Sequence, residues 1–203
     1  MSQIRVSDPL PVEVSRPMVL LRLGYRRPAQ VPERTARLID EIMDAGRLLL
    51  RPRAIYGVFE AETTEPDVSL VGGVLRAASR SLHERLRGCR RAVLFAATIG
   101  AEVETWCQGL MQEGQMTRGL LADAFASSAA IALGLEVETV AASLLAEEGL
   151  TATKRYAPGY GDWSLESQKP LHALLDAARI GITLTEDCLM LPAKSISGVI
   201  GGR

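Results

Sequence analysis

From Leu120 to Leu135 the chain is dominated by alanine and other apolar residues, and Asp123 is the only charge in the run. That charge, and the polar residues on either side, make the segment a buried helix rather than a membrane span. The helical pattern extends from about Thr117 to Glu147, with a bend expected near Gly134. A helix with so little polar surface has to be covered by other elements. The 203 residues suffice for one good core, and two domains would be cramped. The expectation is therefore a single domain over residues 1–203.

The covering elements are of both kinds. Leu10 to Val14 alternates apolar and polar residues and predicts a strand. A short helix is expected over Val19 to Leu23, stopped at Gly24. Pro32 opens an amphipathic helix in which Ala36, Ile39, Ile42 and Met43 recur at helical spacing. Ile55 to Glu60 reads as a strand, and Thr63 to Gly73 as a loop or edge hairpin. Ser81-Leu82-His83-Glu84 fits a capping box opening a helix that ends at Gly88. Ala92 to Ala97 is a continuous apolar run, the mark of a central strand. A helix from about Ala101 to Gln112 follows. Near the C-terminus, a helix over Leu165 to Ala178 stops at Gly181, and strands fall around Leu189–Leu191 and Ile196–Ile200. The elements do not alternate as regular βαβ units, so the fold class is α+β.

Composition excludes several classes of function. A net charge of −1 gives no general attraction to nucleic acid or to an anionic membrane. Arg76, Arg80, Arg85, Arg87, Arg90 and Arg91 form a basic region without interleaved aromatics. It reads as a solvated helix face or a dock for an acidic partner, and poorly as a nucleic-acid site. Glu62, Glu65 and Asp67 read as a solvated acidic loop. Cys89, Cys107 and Cys188 are widely spaced, as are His83 and His172, which argues against a disulfide framework or a metal site. The N-terminus has no signal-peptide pattern, and the expected location is the cytoplasm.

The densest cluster of unusual residues is Arg155-Tyr156-Ala157-Pro158-Gly159-Tyr160-Gly161. Pro158 fixes φ, the glycines allow close backbone approach, and Arg155 offers a planar fork of donors suited to a carboxylate or phosphate. Two readings stay open: a rigid turn facing a ligand, or an ordinary Pro-Gly turn whose rings pack on the core.

The order and spacing of this cluster with Leu174-Leu175-Asp176-Ala177, Gly181 to Glu186, Met190-Leu191-Pro192 and Ser195-Ile196-Ser197-Gly198 resemble a known module. It is the activation domain of cobalamin-dependent methionine synthase, and the likeness is greatest to its short stand-alone relatives. Weaker agreement at Leu23 to Arg26, Pro52 to Tyr56, Val93 to Gly100 and Asp123 to Ser127 extends it over most of the chain. The resemblance implies one antiparallel sheet flanked by helices, and a site for S-adenosylmethionine. Arg155 would clamp the methionyl carboxylate, and Ala157 and Gly159 would offer backbone groups. Pro158 would shape the turn, and Tyr160 would line the pocket. Trp163 would serve as an aromatic wall or as plain packing.

The implied role is reductive remethylation of cob(II)alamin in methionine biosynthesis. The cobalamin is supplied by a partner methyltransferase protein, and the electron by a flavodoxin-like or other reductant. Such chemistry needs no general acid or base, so no catalytic residue and no metal ligand is assigned. The partner could instead belong to another corrinoid methyltransferase, or the chain could be a non-catalytic sensor that kept the fold. The chain departs from the family at Ile131, where many relatives carry a glutamate. It also has Trp163-Ser164-Leu165-Glu166 in place of a Cys-Pro-x-His cluster, and it ends at Arg203 without a further tyrosine-bearing extension.

Overall fold

The apolar run at Ala92–Ala97 lies at the centre of the molecule, within strand β5 (Arg91–Thr98). A computed structural model describes residues 4–27, 31–63 and 68–203. Strand β5 pairs on one side with β2 (Arg53–Thr63) and on the other with β8 (Ser195–Gly202), both antiparallel. The outer edge of β2 carries β1 (Arg5–Ser7) along its first half and β3 (Val68–Val71) at its far end. Strand β4 (Leu75–Ala78) closes that edge as a hairpin with β3. A separate two-stranded ladder joins β6 (Thr183–Leu184) and β7 (Met190–Leu191).

Both faces of this sheet are covered, which is why β5 reads as continuous apolar sequence and does not alternate. Side chains of successive residues point to opposite faces. Val93, Phe95 and Ala97 enter one core, with Ala54 and Ile200. Ala92, Leu94 and Ala96 enter the other, with Ile55 and Val199. Four helices cover the first face: α1 (Arg16–Arg22), α2 (Glu33–Leu49), α4 (Glu102–Gln112) and α5 (Met116–Glu147). The second face carries α3 (Arg80–Leu86), α6 (Gln168–Leu175) and a 3-10 turn at Ala177–Ile180. The α+β expectation of an antiparallel sheet flanked by helices is the observed architecture.

Helix α5 is long and apolar enough, by length and composition, to cross a membrane. In the fold it packs against α1, α2 and α4 and against β2, β5 and β8. Phe125, Ala126, Ala129 and Leu133 are among its fully buried residues.

Three local expectations differ from the structure. Leu10 to Val14 is irregular chain and not a strand; the Leu10 N–H donates to Pro52 O (2.9 Å), and Leu10 and Val14 are buried in the first core. The cap of α3 is Ser79, whose hydroxyl accepts the Leu82 N–H, so the Ser81 capping box is not used. The helix expected over Leu165 to Ala178 is broken into a 3-10 turn (Leu165–Ser167), α6 and a second 3-10 turn. Asp176, at φ 56°, ends α6 in the left-handed conformation. Of the acidic loop, Glu62 belongs to β2, while Glu65 and Asp67 lie outside the described residues.

Candidate functional site

The site is built on the free edge of β8. Residues 151–156 run antiparallel to that edge, held by Thr151 N–H to Arg203 O (2.7 Å) and Thr153 N–H to Gly201 O (2.8 Å). Tyr156 and Val199 then exchange both backbone bonds, at 2.9 and 2.8 Å. Three steps along the chain from Thr153 to Tyr156 match two from Gly201 to Val199, so the segment carries one extra residue. The Thr153 hydroxyl accepts the Gly201 N–H (2.9 Å) where the ladder is interrupted. An extra residue of this kind kinks the strand and re-aims a side chain. Arg155 lies within it and turns toward α5. Gly198 is glycine because the Tyr156 carbonyl crosses where its Cβ would be.

The Arg155 guanidinium packs on Gly134 of α5, where a Cβ would collide with Nη1. Its Nε lies 3.6 Å from a Glu138 carboxylate oxygen, an ion pair too long to be a hydrogen bond. Nη1 is buried with no hydrogen-bond partner among the described residues. A buried guanidinium donor without an acceptor is costly.

Beyond Arg155 the loop closes on itself. Tyr160 N–H donates to Ala157 O (3.2 Å), Trp163 N–H to Tyr160 O (3.0 Å), and Gly159 N–H to Trp163 O (2.8 Å). The Tyr156 hydroxyl donates to Tyr160 O (2.9 Å). The Tyr156 ring stacks on Trp163, with centroids 5.9 Å apart, and the Arg85 guanidinium lies over the Tyr156 ring at 5.4 Å. Asp162 ties the loop to α3 by accepting the Ser79 hydroxyl (2.7 Å) and the N–H groups of Arg80 (2.8 Å) and Ser81 (3.1 Å). These bonds, first those from Ser79 and Ser81, hold the Asp162 carboxyl well below the usual carboxylate range.

Between loop, sheet edge and helices lies a cavity of about 460 Å³, within the range of small-molecule sites. Of the residues singled out in the sequence, Arg155, Tyr156, Ala157, Pro158 and Tyr160 line it. Tyr160 is 65% exposed and stands at the mouth. Gly159 and Trp163 are not lining residues. The Gly159 N–H is committed to Trp163, and Trp163 is 2% exposed, one layer behind Tyr156.

The rest of the wall was not picked out from sequence. It comprises Arg85 of α3, Gln168 of α6, Phe95 of β5, Met190 of β7 and Ser195, Ile196 and Ser197 of β8. The Ser197 hydroxyl donates to Gln168 Oε1 (3.0 Å), which fixes the amide on the cavity floor. Phe95, Met190, Ser195, Ile196 and Ser197 lay in quoted motifs, but nothing in their spacing separates a wall from a strand. Arg85 reads in sequence as one of a run of solvated arginines. Nothing local marks Gly134 or Glu138, because their role exists only once α5 lies beside Arg155.

One stripe of α5 faces this side of the molecule. Asp123 and Ser127 both meet Lys194 Nζ, at 2.8 and 2.9 Å, and Gly134 and Glu138 meet Arg155. By helical spacing Ile131 falls between these two contacts. It is 42% exposed, so it is no core residue. The turn at Thr98-Ile99-Gly100 is internally closed, with Gly100 N–H donating to the Thr98 hydroxyl (3.1 Å).

No curated protein matches the chain. Among solved structures, the crystal structure of the MetH reactivation domain bound to AdoHcy is similar. The two share 17% sequence identity at a TM-score of 0.72, over 98% of this chain and 78% of that one. At that identity the likeness is one of fold. The sequence profile described as vitamin B12 dependent methionine synthase, activation domain, matches residues 90–203, more than half of the chain and all of the segment that carries Arg155. The chain belongs to the family of the vitamin B12-dependent methionine synthase activation domain.

Proposed function

We propose that the chain is a stand-alone reactivation subunit of a split cobalamin-dependent methionine synthase. On this reading the cavity takes S-adenosylmethionine, and the chain docks on a separate cobalamin-binding methyltransferase protein in the cytoplasm. A flavodoxin-like or other reductant supplies the electron. The observation that carries the reading is Arg155, which lines a small-molecule cavity with an aromatic mouth and whose one carboxylate partner among the described residues, Glu138, stands 3.6 Å away. Family membership and the AdoHcy held by the MetH reactivation domain support it.

When bound, S-adenosylmethionine supplies a methyl group already activated on sulfur. Arg155 then holds the ligand carboxylate through its planar fork, steadied from behind by Glu138. Ala157 and Pro158 form the wall, and the Gly159 turn fixes their direction. Tyr160 covers the ligand from the mouth, while Trp163 stiffens Tyr156 by stacking. The chain's contribution is position and orientation, and no side chain has to move a proton.

A second reading, an interaction or sensor protein on the same fold, is favoured by one observation. The α5 stripe presents Ile131 where a carboxylate would stand, and its Asp123 is already paired with Lys194. Calorimetry decides the matter. The expected result is one saturable S-adenosylmethionine site and restored turnover of the cobalamin-loaded partner with reductant. Absence of any binding ends the reactivation reading and favours the interaction or sensor reading; binding without restored turnover points to another corrinoid methyltransferase as the partner.

A further inference from the structure

The cavity straddles the edge strand β8, and its two ends differ in chemistry. Arg155 stands at the end beside α5, the helix that covers the first face of the sheet. The other end belongs to the second face. Ser197 pairs with Ala96, whose side chain enters the second core, and Gln168 opens α6 on that same face. Gln168 is only 4% exposed, and it lines the cavity. Its Oε1 accepts the Ser197 hydroxyl (3.0 Å), which leaves the NH2 as the free end of the amide. That NH2 has no partner among the described residues. Unlike Arg155 Nη1, it is not sealed off by packing, so a molecule in the cavity can reach it. Met190 and Tyr156, both packed against the second core, flank this end of the cavity.

We propose that Gln168 is a specificity-determining residue that donates an amide N–H to a ring nitrogen of the ligand's nucleobase. This rests on the proposed S-adenosylmethionine site. In S-adenosylmethionine the carboxylate and the base lie at opposite ends of the molecule. With the carboxylate on Arg155, the base falls at the second-face end. A neutral donor between a thioether and an aromatic edge suits an uncharged heteroaromatic ring with in-plane nitrogen acceptors. Ribose hydroxyls are the poorer match, because a carboxylate is their common partner and the wall has none. Ser197 fixes the amide before the ligand arrives, so little ordering is lost on binding.

The test is a titration of the purified full chain with S-adenosylmethionine and with its three deaza analogues. Each analogue has one acceptor nitrogen of the adenine ring replaced by C–H. The same series is run on Gln168→Met, which keeps the length of the side chain and loses the donor; melting curves check that it folds. One neutral hydrogen bond corresponds to about three- to tenfold in affinity. In the wild type, one analogue should bind more weakly than the parent compound by that factor, and the other two should bind like the parent. Gln168→Met should bind S-adenosylmethionine more weakly by the same factor and no longer distinguish that analogue from it. Three analogues that bind the wild type alike overturn the inference, and that result needs no variant. A Gln168→Met that keeps full affinity, or that still discriminates, overturns it as well. A wild type that does not bind S-adenosylmethionine is a different failure: it overturns the proposed function and the inference with it.

Discussion

Arg155 is the residue on which the proposed site turns. A charge-assisted contact to a ligand carboxylate is worth roughly 1.5–3 kcal/mol, or about tenfold or more in affinity. Arg155→Ala should lose that much in an S-adenosylmethionine titration. Arg87→Ala should lose nothing, because Arg87 is exposed at the end of α3 and away from the cavity wall. Equal affinities in the two variants would remove the carboxylate clamp. Gly134 offers a subtler probe. Alanine there is worth up to about 1 kcal/mol in helix propensity, and its Cβ meets only the tip of a flexible side chain. Gly134→Ala should therefore melt at or slightly above the wild-type temperature, yet bind the ligand about tenfold more weakly, because the guanidinium is displaced from Glu138. Intact affinity in this variant would mean that the guanidinium does not need its seat on α5. Arg155, Ala157, Pro158 and Tyr160 were legible in the sequence because the cluster holds unusual residues close together. Gly134, Glu138 and Arg85 were not, because each matters only through a partner at least 17 residues away in the chain.

At the scale of elements, the strongly periodic or continuous segments were legible. The apolar run of β5 and the long α5 follow from pattern alone. The misread segments were those where a tertiary contact outweighs local pattern. Leu10 and Val14 alternate as in a strand, but the single Leu10 N–H bond to Pro52 O is not continued into a ladder, and both side chains are buried in the first core. The cap of α3 shifts to Ser79 because Asp162, far along the chain, binds Ser79, Arg80 and Ser81 together. That carboxylate is the joint between the cavity loop and α3, and its charge suits a helix N-terminus. Asp162→Asn keeps the shape and loses the charge. The amides of Arg80 and Ser81 should then exchange faster with solvent, while those of β5 keep wild-type protection. The folded carboxyl has a lowered pKa, so the joint is intact above the ordinary carboxylate range. It weakens as pH falls below that range through the folded value. Unchanged exchange at Arg80 and Ser81 would show that the backbone holds the joint without the charge.

The whole molecule is organised on one main sheet buried on both faces, and its acid stability should reflect what lies in the second core. His172 of α6 is 7% exposed, and neither ring nitrogen has a hydrogen-bond partner among the described residues. Burial disfavours the charged imidazolium and pushes its pKa down from 6.5 to about 4. Above about pH 6.5 the ring is neutral in both folded and unfolded chains, and its contribution is fully present. As pH falls from there toward 4, the unfolded chain takes up a proton that the folded chain resists, and stability declines. Below about pH 4 both states carry the proton and the loss from this group stops. At about 1.4 kcal/mol per pH unit, the loss over this window is at most about 3.5 kcal/mol. Denaturant midpoints of the wild type should fall across that window. His172→Leu puts an apolar side chain of similar reach in the same place and should flatten the fall, leaving only the carboxylates that titrate at its lower end. The sequence alone placed His172 within a helix expected over Leu165 to Ala178, and its burial follows only once α6 packs on β2 and β5. Wild-type and His172→Leu curves that run parallel between pH 6.5 and 4 would mean that the ring reaches solvent or a partner, and that the second core is looser than its packing indicates.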